Sequence, residues 1–314
     1  MKITVVIPSH NRREHLMETI KSLLRQKFPK KDYEIIVVSD SVDGTEEMVN
    51  DIKKTSPVSI RFFRKVSDGP SQKRNVGIKH AKGKFVAFID DDCIAQPEWI
   101  KGIFDAFSNN CGGVEGRTVT DKAIGPFSHY IHNRTGGHYM TCNMAYRKDL
   151  LDKIGGFDEK FTTPVTINRE DSDLAFSVLE RGYEIAFSKI AVVKHPAVRA
   201  SFTNRLKKKK EFFVDPLLFK KHPILYRKKI KFPFELFTPL YIILTILTFL
   251  QIYFVFGLIL LAFFELNFRS WKVGVFDFVK FIILQTIGSF VIVIYYIYGC
   301  INFRVNPLKP LIHV

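Results

Sequence analysis

Residues 236–264, LFTPLYIILTILTFLQIYFVFGLILLAFF, run for 29 positions without one charged side chain. A helix rises about 1.5 Å per residue and roughly 20 apolar residues cross a bilayer, so this run is long enough to span one with some tilt. A second uncharged run, residues 281–303, follows a 16-residue segment, 265–280, that carries charges and Trp271. Two buried helices of a soluble core are the competing reading. Length and the lack of charge favour two spans, with a re-entrant pair around Pro239 and Gly257 as the alternative for the first run. The mean hydropathy of +0.03 then averages a polar region with an apolar tail.

The 314-residue chain has a formal net charge of +16 and is 46% hydrophobic, which excludes a disordered chain or a disulfide-stapled mini-protein. The charge is concentrated. Residues 199–231 hold twelve Lys and Arg against Glu211 and Asp215, which is +10 of the total. This stretch interleaves Phe212, Phe213, Leu217, Phe219 and Tyr226, and residues 199–235 are expected to form a basic amphipathic juxtamembrane helical region on an anionic lipid surface. Nucleic acid is the other polyanion such a stretch could take, but it adjoins a predicted span and no recognition motif is present. Basic residues stay on the cytoplasmic side, so residues 1–198 are expected inside the cell, residues 236–303 in the cell membrane as a multi-pass segment, and residues 304–314 as a cytoplasmic tail. Met1–Pro8 enters a strand-like run directly, with no signal-peptide pattern. Cys93, Cys111, Cys142 and Cys300 form no CxxC pair and are expected as reduced thiols.

Within residues 1–198, short apolar runs alternate with segments of helical period. Strands are predicted over 3–7, 34–39, 59–64 and 85–90, and helices over 12–26, 45–54, 71–81 and 97–107. That alternation implies parallel strands joined by crossover helices, with ligands bound beyond the carboxyl ends of the strands. The residues there are polar: Pro8 to Arg12 after the first strand, Asp40 to Gly44 after the second, and Asp90, Asp91 and Asp92 after the fourth. Three adjacent carboxylates repel one another unless a cation compensates, and hard oxygen ligands suit Mg²⁺ or Mn²⁺. An exposed acidic turn is the plain alternative; the spacing does not fit an EF-hand.

Five segments, VVIPSHNR (5–12), IIVVSDSVDGT (35–45), KRNVGIKHAKGKFVAFIDDD (73–92), IGGFDEKF (154–161) and REDSDLAFSVLERGYEIAF (169–187), together resemble a family-2, inverting glycosyltransferase of the GT-A fold carrying a C-terminal membrane anchor. The resemblance covers residues 1–195. It implies an α/β fold with a Rossmann-like mixed sheet and a nucleotide-sugar donor held by Pro8, His10, Arg12, Asp40, Arg74, Asp90 and Asp91. Asp40 would bind the base, with Asp43 nearby, Arg74 would approach the nucleotide or diphosphate, and Asp90 would lie near the ribose. His10 stands where the family often has Tyr, and Ser41 where an acidic residue or Gly is common. Asp92, with His195, would bind a Mg²⁺ or Mn²⁺ cofactor, although His195 reads equally as a strand-end histidine bonded to backbone. Asp171 would be the general base, with Glu170 the second choice; without the upstream motifs both would read as helix N-terminal charge. Asn143 and Gly156 would shape the acceptor side, while Gly155 and Gly156 also read as a helix stop.

The expected activity is transfer of a sugar to an acceptor hydroxyl, lipid-linked or on a cell-envelope glycan precursor. A non-catalytic nucleotide-sugar-binding membrane scaffold is the alternative. The absence of a QxxRW motif argues against a processive synthase.

Overall fold

The computed structural model of the chain describes residues 1–67, 69–120, 125–230, 234–250, 254–269, 271 and 273–310. The chain divides into two compact units. The first comprises Met1–Asp121, Tyr130–Thr162 and Glu170–Pro196; the second comprises Lys122–His129, Thr163–Arg169 and Ala197–Val314.

In chain order the strands are β1 (Ile3–Ser9), β2 (Tyr33–Ser39), β3 (Ser59–Arg64), β4 (Phe85–Phe88), β5 (Ile94–Ala95), β6 (Cys111–Val119), β7 (Ser128–His129), β8 (Met144–Arg147), β9 (Glu184–Lys194) and β10 (Val198–Arg199). The first unit holds an eight-stranded sheet in the order β3-β2-β1-β4-β8-β6-β9-β5. β1, β2, β3 and β4 pair in parallel, as the strand–helix alternation predicts, whereas β8 runs antiparallel to both β4 and β6, which makes the sheet mixed. Every residue of β1 and β2 is buried, so these strands read as continuous apolar runs rather than alternating ones. Their helices are α1 (Arg13–Leu24), α2 (Thr45–Thr55), α3 (Pro70–His80), α4 (Trp99–Ala106), α5 (Lys148–Ile154) and α6 (Glu170–Glu180). The chain leaves β1 for β2 and β3 on one side and returns to β4 on the other, creating a crevice at the carboxyl ends of β1 and β4.

The second unit pairs β7 with β10 and contains α7 (Phe202–Lys208), a 3₁₀ turn (Lys209–Val214), α8 (Asp215–Lys221), α9 (Pro223–Lys229), α10 (Thr238–Leu250), α11 (Phe254–Phe268) and α12 (Val275–Phe303). Over 236–264 the described residues form two short helices, α10 and α11, of 13 and 15 residues, each below the roughly 20 needed to cross a bilayer, which follows the re-entrant-pair alternative rather than the single span. They run antiparallel: Phe237 meets Phe264 and Phe268 at 6.2 and 6.0 Å between ring centres, while Gly257 faces Leu244. Folding back lets Tyr241 and Leu258 bury each other. Among the described residues only α12 is long and apolar enough to cross a membrane. It begins at Val275 rather than Phe281, because Asp277 lies in its first turn, where an acidic side chain complements the helix dipole.

The apolar residues of the basic stretch are a second correction. Phe212, Phe213, Leu217, Phe219 and Tyr226 are buried inside the unit, with Phe213 packed on Tyr298 and Phe303 of α12 at 5.0 and 5.3 Å, so they are not anchors offered to a lipid surface. A 29-residue apolar helix supplies a face for them that the sequence pattern alone does not reveal. Polar contacts fix the same packing: Gln285 donates to both oxygens of the fully buried Glu265 at 2.8 and 2.9 Å, and Lys209 pairs with Glu235 at 2.5 Å and with Gln285 at 3.3 Å.

Candidate active site

A cavity of about 460 Å³ opens at the crevice between the ends of β1 and β4. Pro8, Ser9, His10 and Arg12 line one wall, Lys73 and Arg74 from the first turns of α3 another, and the three carboxylates after β4 a third. Of the predicted donor residues, all but Asp40 line it, and Asp40 stands directly behind. Its carboxylate accepts from Lys73 Nζ at 2.6 Å, contacts His10 Nδ1 at 2.7 Å and accepts from the Ser67 amide at 3.4 Å. Burial pushes the Asp40 carboxyl up, but the bonds from Lys73 and His10 outweigh it and hold it down at about 2.

The three adjacent carboxylates are separated by their partners. Asp91 is buried, accepting from Ser9 Oγ at 2.8 Å and Arg12 at 3.2 Å; burial raises its carboxyl above the usual range despite these bonds. Asp92 accepts from Arg12 at 2.8 Å through Oδ2. Asp90 accepts from Arg74 at 2.9 Å, and Arg74, also 3.4 Å from Glu170, is almost wholly buried. Burial alone would lower the Arg74 guanidinium, yet Asp90 and Glu170 outweigh it and keep it raised. Arg74 therefore links the end of β4 to the start of α6.

The KRN-x-G segment has a physical reason at each polar position. Lys73 reaches back to the Ser9 carbonyl at 2.9 Å as well as to Asp40. Asn75 exchanges hydrogen bonds with the backbone of Phe157, at 2.9 Å to the carbonyl and 2.8 Å from the amide. At Gly77 a Cβ would collide with Val6, so glycine lets α3 approach β1. Lys73, Ser9, Ser67, Gly69 and Pro70 also border the cavity and are absent from the sequence-based set. Lys73, a basic residue directly before Arg74 in a motif, and Ser9, within the polar run after β1, carried usable signals; Ser67, Gly69 and Pro70 carried none.

Other predicted residues lie elsewhere. Asp171 is the second residue of α6 and accepts from the Ser172 amide at 2.6 Å. Asn143 is not brought to the cavity. It is 1% exposed, takes the Trp99 indole N–H at 2.8 Å, and donates to the Arg117 and Ala191 carbonyls at 3.0 and 3.1 Å. The pairing of β6 with β9 shifts register between Gly116 and Arg117, and Asn143 satisfies the carbonyls freed there. Gly156, at φ +78°, ends α5 against Asn75, and Asp43 accepts from the Arg13 and Thr45 amides, tying the starts of α1 and α2.

A divalent cation fits beside Asp92. Its Oδ1 lies 3.7 Å from His195 Nε2 and 3.7 Å from Cys93 Sγ, and ligand atoms of these three residues all lie within 4.8 Å of one another. The His195 Nδ1 bonds to the Pro196 carbonyl at 2.9 Å, which directs Nε2 toward Asp92.

Residues 4–157 match the profile described as Glycosyl transferase family 2. The chain is 35% identical over 102 residues to poly(ribitol-phosphate) beta-N-acetylglucosaminyltransferase TarS of Staphylococcus aureus, covering 32% of this chain and 18% of that protein. It is 43% identical over 94 residues to poly(ribitol-phosphate) beta-glucosyltransferase of Bacillus spizizenii, covering 29% and 15%. The matches thus span less than a fifth of either relative's length. Among solved structures, mannosyltransferase PcManGT from Pyrobaculum calidifontis in complex with GDP-Man and Mn²⁺ superposes with a TM-score of 0.63 at 15% identity, covering 95% of this chain and 87% of that one. That likeness is one of fold.

Proposed function

Because this chain belongs, over residues 4–157, to glycosyl transferase family 2, we propose that it transfers a sugar, with inversion, from a nucleoside-diphosphate sugar to an acceptor hydroxyl on a cell-envelope glycan or its lipid-linked precursor. The observation that carries this reading is the convergence of Arg12, Lys73 and Arg74 with Asp40, Asp90, Asp91 and Asp92 at one cavity. Cations there suit a diphosphate, and carboxylates suit ribose hydroxyls and a metal. The poly(ribitol-phosphate) in the names of the two relatives supports the acceptor class, and the GDP-Man and Mn²⁺ complex of the fold neighbour supports the donor class.

In this reading Asp40 and His10 orient the base, Asp90 receives the ribose, and Arg12 and Lys73 attract the diphosphate. Asp92 and His195 would hold the metal. When bound, a divalent ion stabilises the charge that gathers on the departing nucleoside diphosphate. Asp171 takes the proton of the acceptor hydroxyl as its oxygen attacks the anomeric carbon from the face opposite the leaving group. The Arg74 contact of Glu170 at 3.4 Å supports Asp171, rather than Glu170, in that role. The second unit attaches the enzyme to the cell membrane through α12, with the catalytic unit on the cytoplasmic side that the Lys-rich stretch favours.

The test is incubation of the purified full chain with a panel of nucleoside-diphosphate sugars and Mg²⁺ or Mn²⁺. Turnover of at least one donor, lost in Asp92→Ala, is expected. Asp171→Asn should abolish transfer while leaving donor affinity nearly unchanged. Binding without turnover in the unaltered chain would favour the nucleotide-sugar-binding scaffold, and no binding at all would remove the enzyme reading.

A further inference from the structure

The second unit holds a cavity of about 540 Å³ at the C-terminal end of α12 that none of the roles above uses. Lys220 of α8, Arg227 of α9, and Arg304 and Lys309 after α12 line it together with Phe219 and Asn306, and among the described residues no Asp or Glu does. Cations that share a pocket without a carboxylate repel one another unless an anion compensates. Capping of α12 accounts for part of the arrangement: Lys220 Nζ donates to the Phe303 carbonyl at 3.0 Å, and the Arg227 guanidinium donates to the Lys309 carbonyl at 3.1 Å. Neither contact involves the Arg304 or Lys309 side chain. Arg304 ends α12 in the left-handed region, at φ +55°, where glycine closes a helix without the penalty that a Cβ brings. An arginine held there at a conformational cost, on the wall of a cationic pocket, is matched to a ligand whose binding offsets that cost.

We propose that this cavity binds the phosphate head group of one anionic membrane lipid, with Arg227 and Arg304 as a guanidinium clamp and Lys220 and Lys309 completing the charge. The Arg227 guanidinium stands 4.9 Å from the Phe219 ring centre, which fixes one side of the clamp against the wall. Around the pocket the surface is apolar: Ile224 follows Pro223, Leu308 precedes Lys309, Ile301 lies one turn before Arg304, and all three are exposed. Cations bordered by exposed apolar side chains suit a molecule that joins a phosphate to a hydrocarbon chain better than they suit a soluble phosphate. The inference rests on the reading of α12 as the membrane anchor and adds to it a cavity that takes a single molecule, where a diffuse basic surface would take many.

The experiment is calorimetric titration of the purified full chain, in a neutral detergent, with dihexanoyl phosphatidic acid, using dihexanoyl phosphatidylcholine and inorganic phosphate as comparison ligands. Saturation at one equivalent is expected with phosphatidic acid, and affinity about tenfold or more weaker for the other two, the equivalent of at least one charge-assisted hydrogen bond. Arg304→Gly removes a cation while easing the backbone, so it should fold as well as the unaltered chain and bind phosphatidic acid about tenfold more weakly. Lys309→Gln, outside the helices, should weaken binding in the same direction. Lys228→Gln removes the same charge from an exposed position of α9 that does not line the cavity, and should leave the affinity unchanged. Equal weakening by Lys228→Gln and Arg304→Gly, no effect of either cavity variant, or the absence of saturation would overturn the proposal in favour of diffuse surface charge. Inorganic phosphate binding as tightly as phosphatidic acid would overturn the lipid assignment. Donor turnover and retention in salt-washed membranes are read on the same chain, so failure of lipid binding with both intact removes this site alone.

Discussion

At Asp40 three residues distant in sequence meet, and the buried Lys73 ammonium has its main anionic partner there. The carboxyl is held at about 2 against an ordinary 3.8, so the stabilisation it supplies is complete above about 4 and is lost as pH falls through 2. Urea midpoints of the unaltered chain and of Asp40→Asn should therefore differ at neutral pH and draw together between pH 4 and 2; a constant gap would show that the carboxylate is not ionised by these bonds. Gly156 permits a comparable test. Its φ of +78° and the close approach of Asn75 leave no room for a methyl group, so Gly156→Ala should cost about 1–3 kcal/mol in equilibrium unfolding. Asn143→Ala, by freeing the carbonyls at the register shift and the Trp99 indole, should lower stability by a similar amount, with little effect on donor affinity if its role is structural.

At the scale of elements, the second unit depends on buried polar links as much as on apolar contact. Arg169 is held by Asp215 through two bonds at 2.8 and 3.1 Å, and the Tyr226 hydroxyl donates to the same carboxylate at 2.9 Å. Asp215 is wholly buried at the start of α8, so Asp215→Ala leaves a largely buried guanidinium without its partner and should destabilise the chain by about 3–5 kcal/mol in chemical denaturation. Apart from the two-residue β5, the strands and helices of the first 107 residues were legible in the sequence because each has a strong period and clear end signals. The folding of α11 back on α10 was legible only as one of two alternatives, since an unbroken apolar run is equally consistent with one long helix and with two that fold back.

For the whole molecule, the net charge of +16 and the apolar tail bear on where the chain resides. A chain anchored through α12 should stay with membranes washed in high salt and be released by detergent; release by salt alone would mean that only the basic surface holds it. The sequence by itself determined the parallel start of the sheet, the polar positions at its strand ends and the acidic start of α6, because local periodicity and motif order encode them. Tertiary structure decided which of those polar groups converge. It sent Asn143 into the core to mend a register shift, buried Arg74 between two carboxylates, turned the aromatics of the basic stretch onto α12, and brought Cys93 and His195 to one oxygen of Asp92. Those outcomes depend on which distant surfaces meet and which buried polar atoms need a partner, and neither is written in the spacing of residues along a chain.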